Sequence, residues 1–223
     1  MIRPIEDRDT AAVGASALTR AKLIATAEQL FAERGIHAVS LAEINLAAGQ
    51  RNKTAAHYHF GDKDGLLRAV LDKHLPGLMH ERDMRFAALV ANGDWSARSV
   101  IRALLEPLAA KLADPDGGCE FLRISAQLAS SYTQALEGSH VDLFPAGLFE
   151  PVREARNTFL AHLPPAIAKQ RVSLAISMLL HGLAEHSRTR CRRADTELFV
   201  RNLEDCLVAM CEALPSKPTH RSP

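Results

Sequence analysis

The chain has 223 residues, 47% of them hydrophobic, and a formal net charge of +1. That length allows one large domain or two small ones with a substantial core. The near-neutral balance excludes a uniformly basic nucleic-acid coat, and leaves room only for a local patch. The four cysteines, Cys119, Cys191, Cys206 and Cys211, form no Cys-x-x-Cys pair, which argues against a zinc knuckle or a redox motif and fits small apolar helix residues. Asp7, Arg8 and Asp9 interrupt any leader-like apolar run, and the stretch Ile176 to Leu183 is too short for a bilayer. We expect a soluble, cytoplasmic protein with no membrane partner.

Residues 1–18 show no period and read as a flexible tail. A first helix is expected from Thr19 to Arg34, with Leu23, Ala27, Leu30 and Phe31 on one face and Gly35 as its left-handed stop. Ser40 and Glu43 form a capping box for a second helix. Val39 before the cap and Ile44 at the fourth helical position form a hydrophobic staple. Gly49-Gln50 then turns the chain into a third helix, expected near Arg51 to Tyr58.

Asp62 is a suitable N-cap for a long fourth helix with Leu66, Leu67, Val70 and Leu71 on its core face. Pro76-Gly77 lies inside it, where a missing backbone donor predicts a kink or break. Ser96 should cap a helix to Ala113, and Asp114 to Gly118 is a turn. Helices are then expected over Cys119 to Ser131, Ala146 to His162, Pro165 to Arg190 and Thr196 to Ala213, with residues 215–223 frayed. No run alternates with period two, so the fold class is all-α. It comprises a three-helix helix-turn-helix unit over 19–75 and a larger helical body over 76–214.

The third helix is crowded with hydrogen-bond donors. Between Arg51 and Lys63 lie three basic residues and two histidines against one acid, Asp62. A short helix of this kind, braced by two apolar ones, is how side chains reach a DNA major groove. Arg51 can bridge guanine and Asn52 adenine, or both can merely touch phosphate. Phosphate suits Lys53, His57 and Lys63 better, while His59 is expected to pack. The run His57-Tyr58-His59 invites a metal, but no carboxylate or cysteine has ligand spacing to it, so no metal is expected.

The ordered set Val39-Ser40-Leu41-Ala42-Glu43-Ile44, Ala47-Ala48-Gly49, Lys53-Thr54, His57-Tyr58-His59-Phe60, Lys63 and Leu66-Leu67 resembles the N-terminal domain of tetracycline-repressor (TetR-type) transcriptional regulators. The resemblance covers about Leu18 to Leu75. It implies an all-helical homodimer on a palindromic operator in double-stranded DNA, with a small-molecule effector bound behind the head. It also implies that Thr54 and Tyr58 bond the DNA backbone. Two departures stand out. One residue more than the commoner pattern lies between Gly49 and the aromatic pair, and Asn45 replaces a small apolar residue. Both imply a rearranged start to the third helix.

No glycine-flanked nucleophile or glycine-rich phosphate loop is present, so no catalytic residue or cofactor is expected. For a ligand, Arg123 and Gln127 share one helical face among Phe121 and Ile124, which suits a pocket wall, although an outward polar face is the commoner use of such a pair. His162 and His181 are further candidates. Leu174 and Met178 on one helix, with Phe199, Leu203, Leu207 and Met210 on the next, carry more apolar surface than one core requires and suit a dimer interface. The expected function is a DNA-binding repressor relieved by a small ligand. The alternative is a helical enzyme or small-molecule carrier.

Overall fold

A computed structural model describes residues 6–52, 54–138, 142–189 and 193–215, with side chains from residue 14 onward. Among the described residues there is no strand. The order is α1 (Glu6–Arg34), α2 (Leu41–Ala47), α3 (Ala55–Phe60), α4 (Lys63–Asn92), α5 (Ala97–Ala110), a 3-10 turn (Lys111–Ala113), α6 (Gly118–Gln127), α7 (Ala129–Leu136), α8 (Glu150–Phe159), α9 (Pro165–His186) and α10 (Arg193–Glu212).

α1 starts at Glu6, well before the expected Thr19. Its early part has no apolar stripe for a periodicity argument to find, but Ala11, Ala12, Ala15 and Ala17 give it high intrinsic helix propensity. Leu18 is still 74% exposed there, whereas Leu23, Ala27 and Phe31 are fully buried. Burying each of the two larger side chains stabilises the head by about 1.5–3 kcal/mol. The stop at Gly35 (φ 93°) follows the expectation.

α4 runs without a break through Pro76-Gly77. Proline removes one donor from the helix, but His74 and Leu75 beside it are both 2% exposed, and that packing keeps the element continuous. Asp62 caps α4 as expected, accepting from the Gly65 amide at 2.7 Å. Ser96 caps α5, accepting from the Ser99 amide at 3.3 Å. The single helix expected over Cys119 to Ser131 is two, α6 and α7, parted at Leu128, whose side chain is drawn into the core.

The core does not divide cleanly between head and body. The head cluster, built on Leu23, Phe31, Ile44, Leu66 and Val70, also takes in Phe121 and Ile124 of α6. A second cluster joins α5, α9 and α10 through Leu105, Leu183, Leu203 and Leu207. α6 therefore sits between the two, and it fixes how the head is carried on the body.

Candidate nucleic-acid interface and ligand cavity

The capping box sets the position of α2. Ser40 Oγ accepts from the Glu43 amide at 3.3 Å, and Glu43 Oε2 accepts from the Ser40 amide at 2.9 Å. The Ser40 amide, the Arg34 guanidinium at 2.7 Å and the Ser40 hydroxyl, donating at 2.8 Å, hold the Glu43 carboxyl down to about 2. The staple residues Val39 and Ile44 are 1% and 0% exposed in the same cluster.

Asn45 explains its own departure from the family pattern. It is 4% exposed, and its Oδ1 accepts from the Ala56 amide of α3 at 2.9 Å. An amide has replaced an apolar contact with a hydrogen bond between α2 and the start of α3, satisfying a buried backbone donor. Gly49 turns the chain with φ 63°, and the Gln50 amide returns to the Asn45 carbonyl at 3.0 Å.

The third helix begins later than expected. Arg51 and Asn52 lie in the bend before it, and α3 spans Ala55–Phe60. The cause is Asn52. Its Oδ1 accepts from the Thr54 amide at 3.0 Å and the Thr54 hydroxyl at 2.8 Å, a local side-chain turn that competes with helix. With Oδ1 occupied, Asn52 no longer has both halves of its amide free for adenine. α3 buries Ala55 and Ala56 and exposes His57 and Tyr58, the latter at 81%. His59 is partly buried, with its ring edge-on to Tyr58 at 5.2 Å. Lys53 lies outside the described residues. Lys63 turns back, donating to the Ile36 and His37 carbonyls at 3.1 and 3.5 Å, so its ammonium braces the loop before α2.

The joint between head and body is polar and buried. Gln127 Oε1 accepts from the Ile36 amide at 2.8 Å, and Nε2 donates to the Phe31 carbonyl at 2.9 Å. One side chain of α6 thus closes the C-terminal end of α1. Glu28, 3% exposed on α1, accepts from Lys73 Nζ at 2.8 Å and pairs with His74 Nε2 at 2.5 Å. Lys111 Nζ lies 3.1 Å from His74 Nδ1 and 2.8 Å from Asp114. Lysine is only a donor, which suits the tautomer with its proton on Nε2, donated to Glu28. Gly117 (φ 80°) admits Glu28, because a Cβ there would fall 2.1 Å from Glu28 Oε2.

The His74 ring also packs on Phe121 at 4.6 Å. Phe121 lines an apolar cavity of about 120 Å³ enclosed by α4 to α9 and the segment before α8, with Leu75, Leu104, Leu148 and Ile176 in its wall. A smaller space of about 60 Å³ shares Leu104, Val152, Ile176 and Leu179 with it. Two polar side chains reach the larger cavity, Arg82 and Tyr132. Arg82 is 3% exposed and already engaged by Asp83 and the Leu148 carbonyl. Burial pushes the Tyr132 phenol up to about 12.

Residues 23–70 match the sequence model described as bacterial regulatory proteins, tetR family. The head is similar to that family over this stretch. The chain is also similar in structure to a putative TetR-family transcriptional regulator from Rhodococcus sp. (17% identity, 87% of this chain and 98% of that one, TM-score 0.45). A gamma-butyrolactone receptor is similar at 23% identity over 86% of this chain and 98% of its own, TM-score 0.44. A protein solved for the control of antibiotic production by bacterial hormones gives 22% identity over 85% and 95%, TM-score 0.44. No curated protein matches.

Around this head the sequence candidates fall into separate places. Arg51, Thr54, His57 and Tyr58 share one exposed region. Of the ligand candidates, Phe121 alone lines the cavity. Ile124 is fully buried in the head-side core. Arg123 is partly buried and donates to Ser187 Oγ at 3.2 Å, Gln127 is the joint, and His162 and His181 are exposed away from the cavity. Arg82 and Tyr132 were missed, since a lone arginine in a long helix looks solvated. Leu203 and Leu207, 5% and 2% exposed, are core residues of the body and are not available to a partner. Phe199 is stacked on His186 at 4.1 Å, and Met210 is partly buried against the same core. Leu174 and Met178 remain open at 59% and 38%, joined by Leu198 at 69%. Among the described residues no helix is long and apolar enough to cross a membrane, and no group of His, Cys, Asp or Glu is placed to hold a metal ion.

Proposed function

We propose that the chain is a homodimeric, sequence-specific transcriptional regulator of the cytoplasm, a repressor whose operator binding is relieved by a small molecule. Residues 19–75 bind double-stranded DNA, and 76–214 bind effector and partner subunit. The observation that carries this reading is the exposed set Arg51, Thr54, His57 and Tyr58 on a scaffold whose inner face, Ala55 and Ala56, is anchored by Asn45. Arg51 reads a base, and Lys53, Thr54 and Tyr58 hold phosphates.

The apolar cavity supports an effector, and its wall residue Phe121 lies against His74 of the joint. The open stripe of Leu174 and Met178 on α9, with Leu198 on α10, supports self-association through a four-helix bundle. Two-fold symmetry then requires a palindromic operator. Titration of the full chain against its own upstream DNA, with a scrambled duplex as control, tests the reading. Specific binding upholds it, and equal affinity for both duplexes refutes it.

A further inference from the structure

We propose that Asn52 reads guanine with one fixed polarity: its side-chain nitrogen donates to the acceptor edge of that base in the major groove, and its side-chain oxygen takes no part. The proposal rests on the DNA-binding reading above and deepens it by naming a second base reader beside Arg51 and the base that it takes.

The bend that carries Asn52 is held at both ends by one residue. The Asn45 carbonyl accepts from the Gln50 amide at 3.0 Å, and the Asn45 side-chain Oδ1 accepts from the Ala56 amide at 2.9 Å. Asn45 is itself 4% exposed. This buried clamp fixes where the chain leaves α2 and where it enters α3. Arg51 and Asn52 are thereby presented in a set place on the exposed surface. A reader ordered in advance loses less freedom on binding.

Thr54 decides the polarity. Its backbone amide can only donate, so the atom of Asn52 that it meets at 3.0 Å is the oxygen. The Thr54 hydroxyl adds a second bond to the same oxygen at 2.8 Å, and it can turn to a phosphate while the amide bond stays. The Ala55 amide closes the turn on the Asn52 carbonyl at 3.2 Å. The side chain of Asn52 is exposed, and its nitrogen makes no hydrogen bond among the described residues.

An asparagine ordinarily meets adenine with both halves of its amide, the nitrogen on N7 and the oxygen on the N6 amino group. Here only the donor half is on offer. In the major groove guanine alone presents two acceptors, N7 and O6, and no donor. Adenine sets a donor beside its acceptor, cytosine presents a donor, and thymine sets a methyl beside its one acceptor. Guanine is the base that a lone donor fits best. That donor is a side-chain amide, so neither the backbone amides of α3 nor its dipole enters the recognition.

The test is selection from a pool of fully randomised duplexes by the full-length chain, read by sequencing the bound fraction, for the wild type, Asn52→Asp and Arg51→Ala. Asn52→Asp keeps an oxygen for the Thr54 amide and replaces the nitrogen with a second acceptor, which suits cytosine N4. Its added negative charge weakens binding to every duplex, so the preference is read and not the affinity. The wild type should enrich a guanine at one position of each half-site. That position should turn to cytosine in Asn52→Asp while the others stay, and Arg51→Ala should relax a different position. On the enriched duplex, changing that guanine to cytosine should weaken the wild type about 3–10-fold by anisotropy, the range of one hydrogen bond, and should strengthen Asn52→Asp. A wild-type adenine at the position that Asn52→Asp alters would overturn the polarity, since both halves of the amide would then be reading. The same motif from the wild type and Asn52→Asp would overturn Asn52 as a reader and leave the DNA-binding reading standing. No enrichment by any of the three would overturn both.

Discussion

The Glu28 carboxylate of α1 and the His74 imidazole of α4 meet at 2.5 Å, both all but excluded from solvent. α1 belongs to the head, and the His74 ring packs on Phe121 of the cavity wall. A ligand that shifts Phe121 therefore disturbs a buried hydrogen bond to a carboxylate of the head. It acts only as far as its affinity differs between the two arrangements.

Glu28→Ala strands the buried His74 Nε2–H donor, while Lys73 keeps Asp116 at 2.7 Å, so it should cost about 1–3 kcal/mol in urea unfolding. Gly117→Ala should also destabilise, since its Cβ would meet Glu28 Oε2 at 2.1 Å in a backbone with φ 80°. Part of that loss is the clash itself. Gly117→Ala should therefore cost less in the Glu28→Ala background, and strict additivity in the double-mutant cycle would exclude the contact.

Gln127 supplies both the acceptor for the Ile36 amide and a donor to the Phe31 carbonyl. Gln127→Ala strands the Ile36 amide, at a cost of about 1–3 kcal/mol. Amide hydrogen exchange should read the loss directly as faster exchange at Ile36, with the centre of α9 unchanged. Equal protection in both proteins would show that Gln127 is not the joint.

Much of the head was legible because its signals are local. Ser40 with Glu43, Gly35, Gly49 and Asp62 each act within a few residues, and each was placed correctly. Longer-range matters were less legible. Asn52 was read as a helix residue, because nothing in its neighbourhood says that its amide will fold onto Thr54. Helical periodicity puts Gln127 and Arg123 on one face, but it does not say that the end of α1 and Ser187 lie opposite. Leu203 and Leu207 share the apolar stripe of α10 with Phe199, and only the packing of α5 and α9 against that stripe shows which of them are core. Pro76 was read as a break because its chemistry is local, while the packing of His74 and Leu75 that overrides it is not.

Acid stability offers a check on the capping box. Glu43 is held at about 2 in the fold against an ordinary 4.5, with the Ser40 amide the largest cause. Its contribution is present above pH about 4.5 and is lost as pH falls toward about 2. Glu43→Gln should flatten the pH dependence of unfolding within that window and leave neutral-pH behaviour otherwise cooperative. An unaltered acid limb would remove Glu43 from the account.

Self-association is placed on the exposed stripe. Leu174→Glu with Met178→Glu should give monomers by light scattering, with the helical circular dichroism retained, because both side chains are open in the single chain. Leu207→Glu should unfold the body instead, since that side chain is 2% exposed. A dimeric mass for the first variant would move the interface elsewhere.

The central claim is that the bend and the exposed face of α3 read DNA. Fluorescence anisotropy of the full chain on its own upstream duplex tests it most directly, at about 50 and 200 mM salt. The account predicts binding at least about a thousandfold tighter than to a scrambled duplex. It also predicts a steep loss at the higher salt, and Arg51→Ala costing about 1–3 kcal/mol with relaxed preference at one base pair. Lys63→Ala should leave the salt slope unchanged, because its ammonium is committed to the Ile36 and His37 carbonyls. Equal affinity for the two duplexes, or an Arg51→Ala variant that binds as the parent does, would contradict the claim.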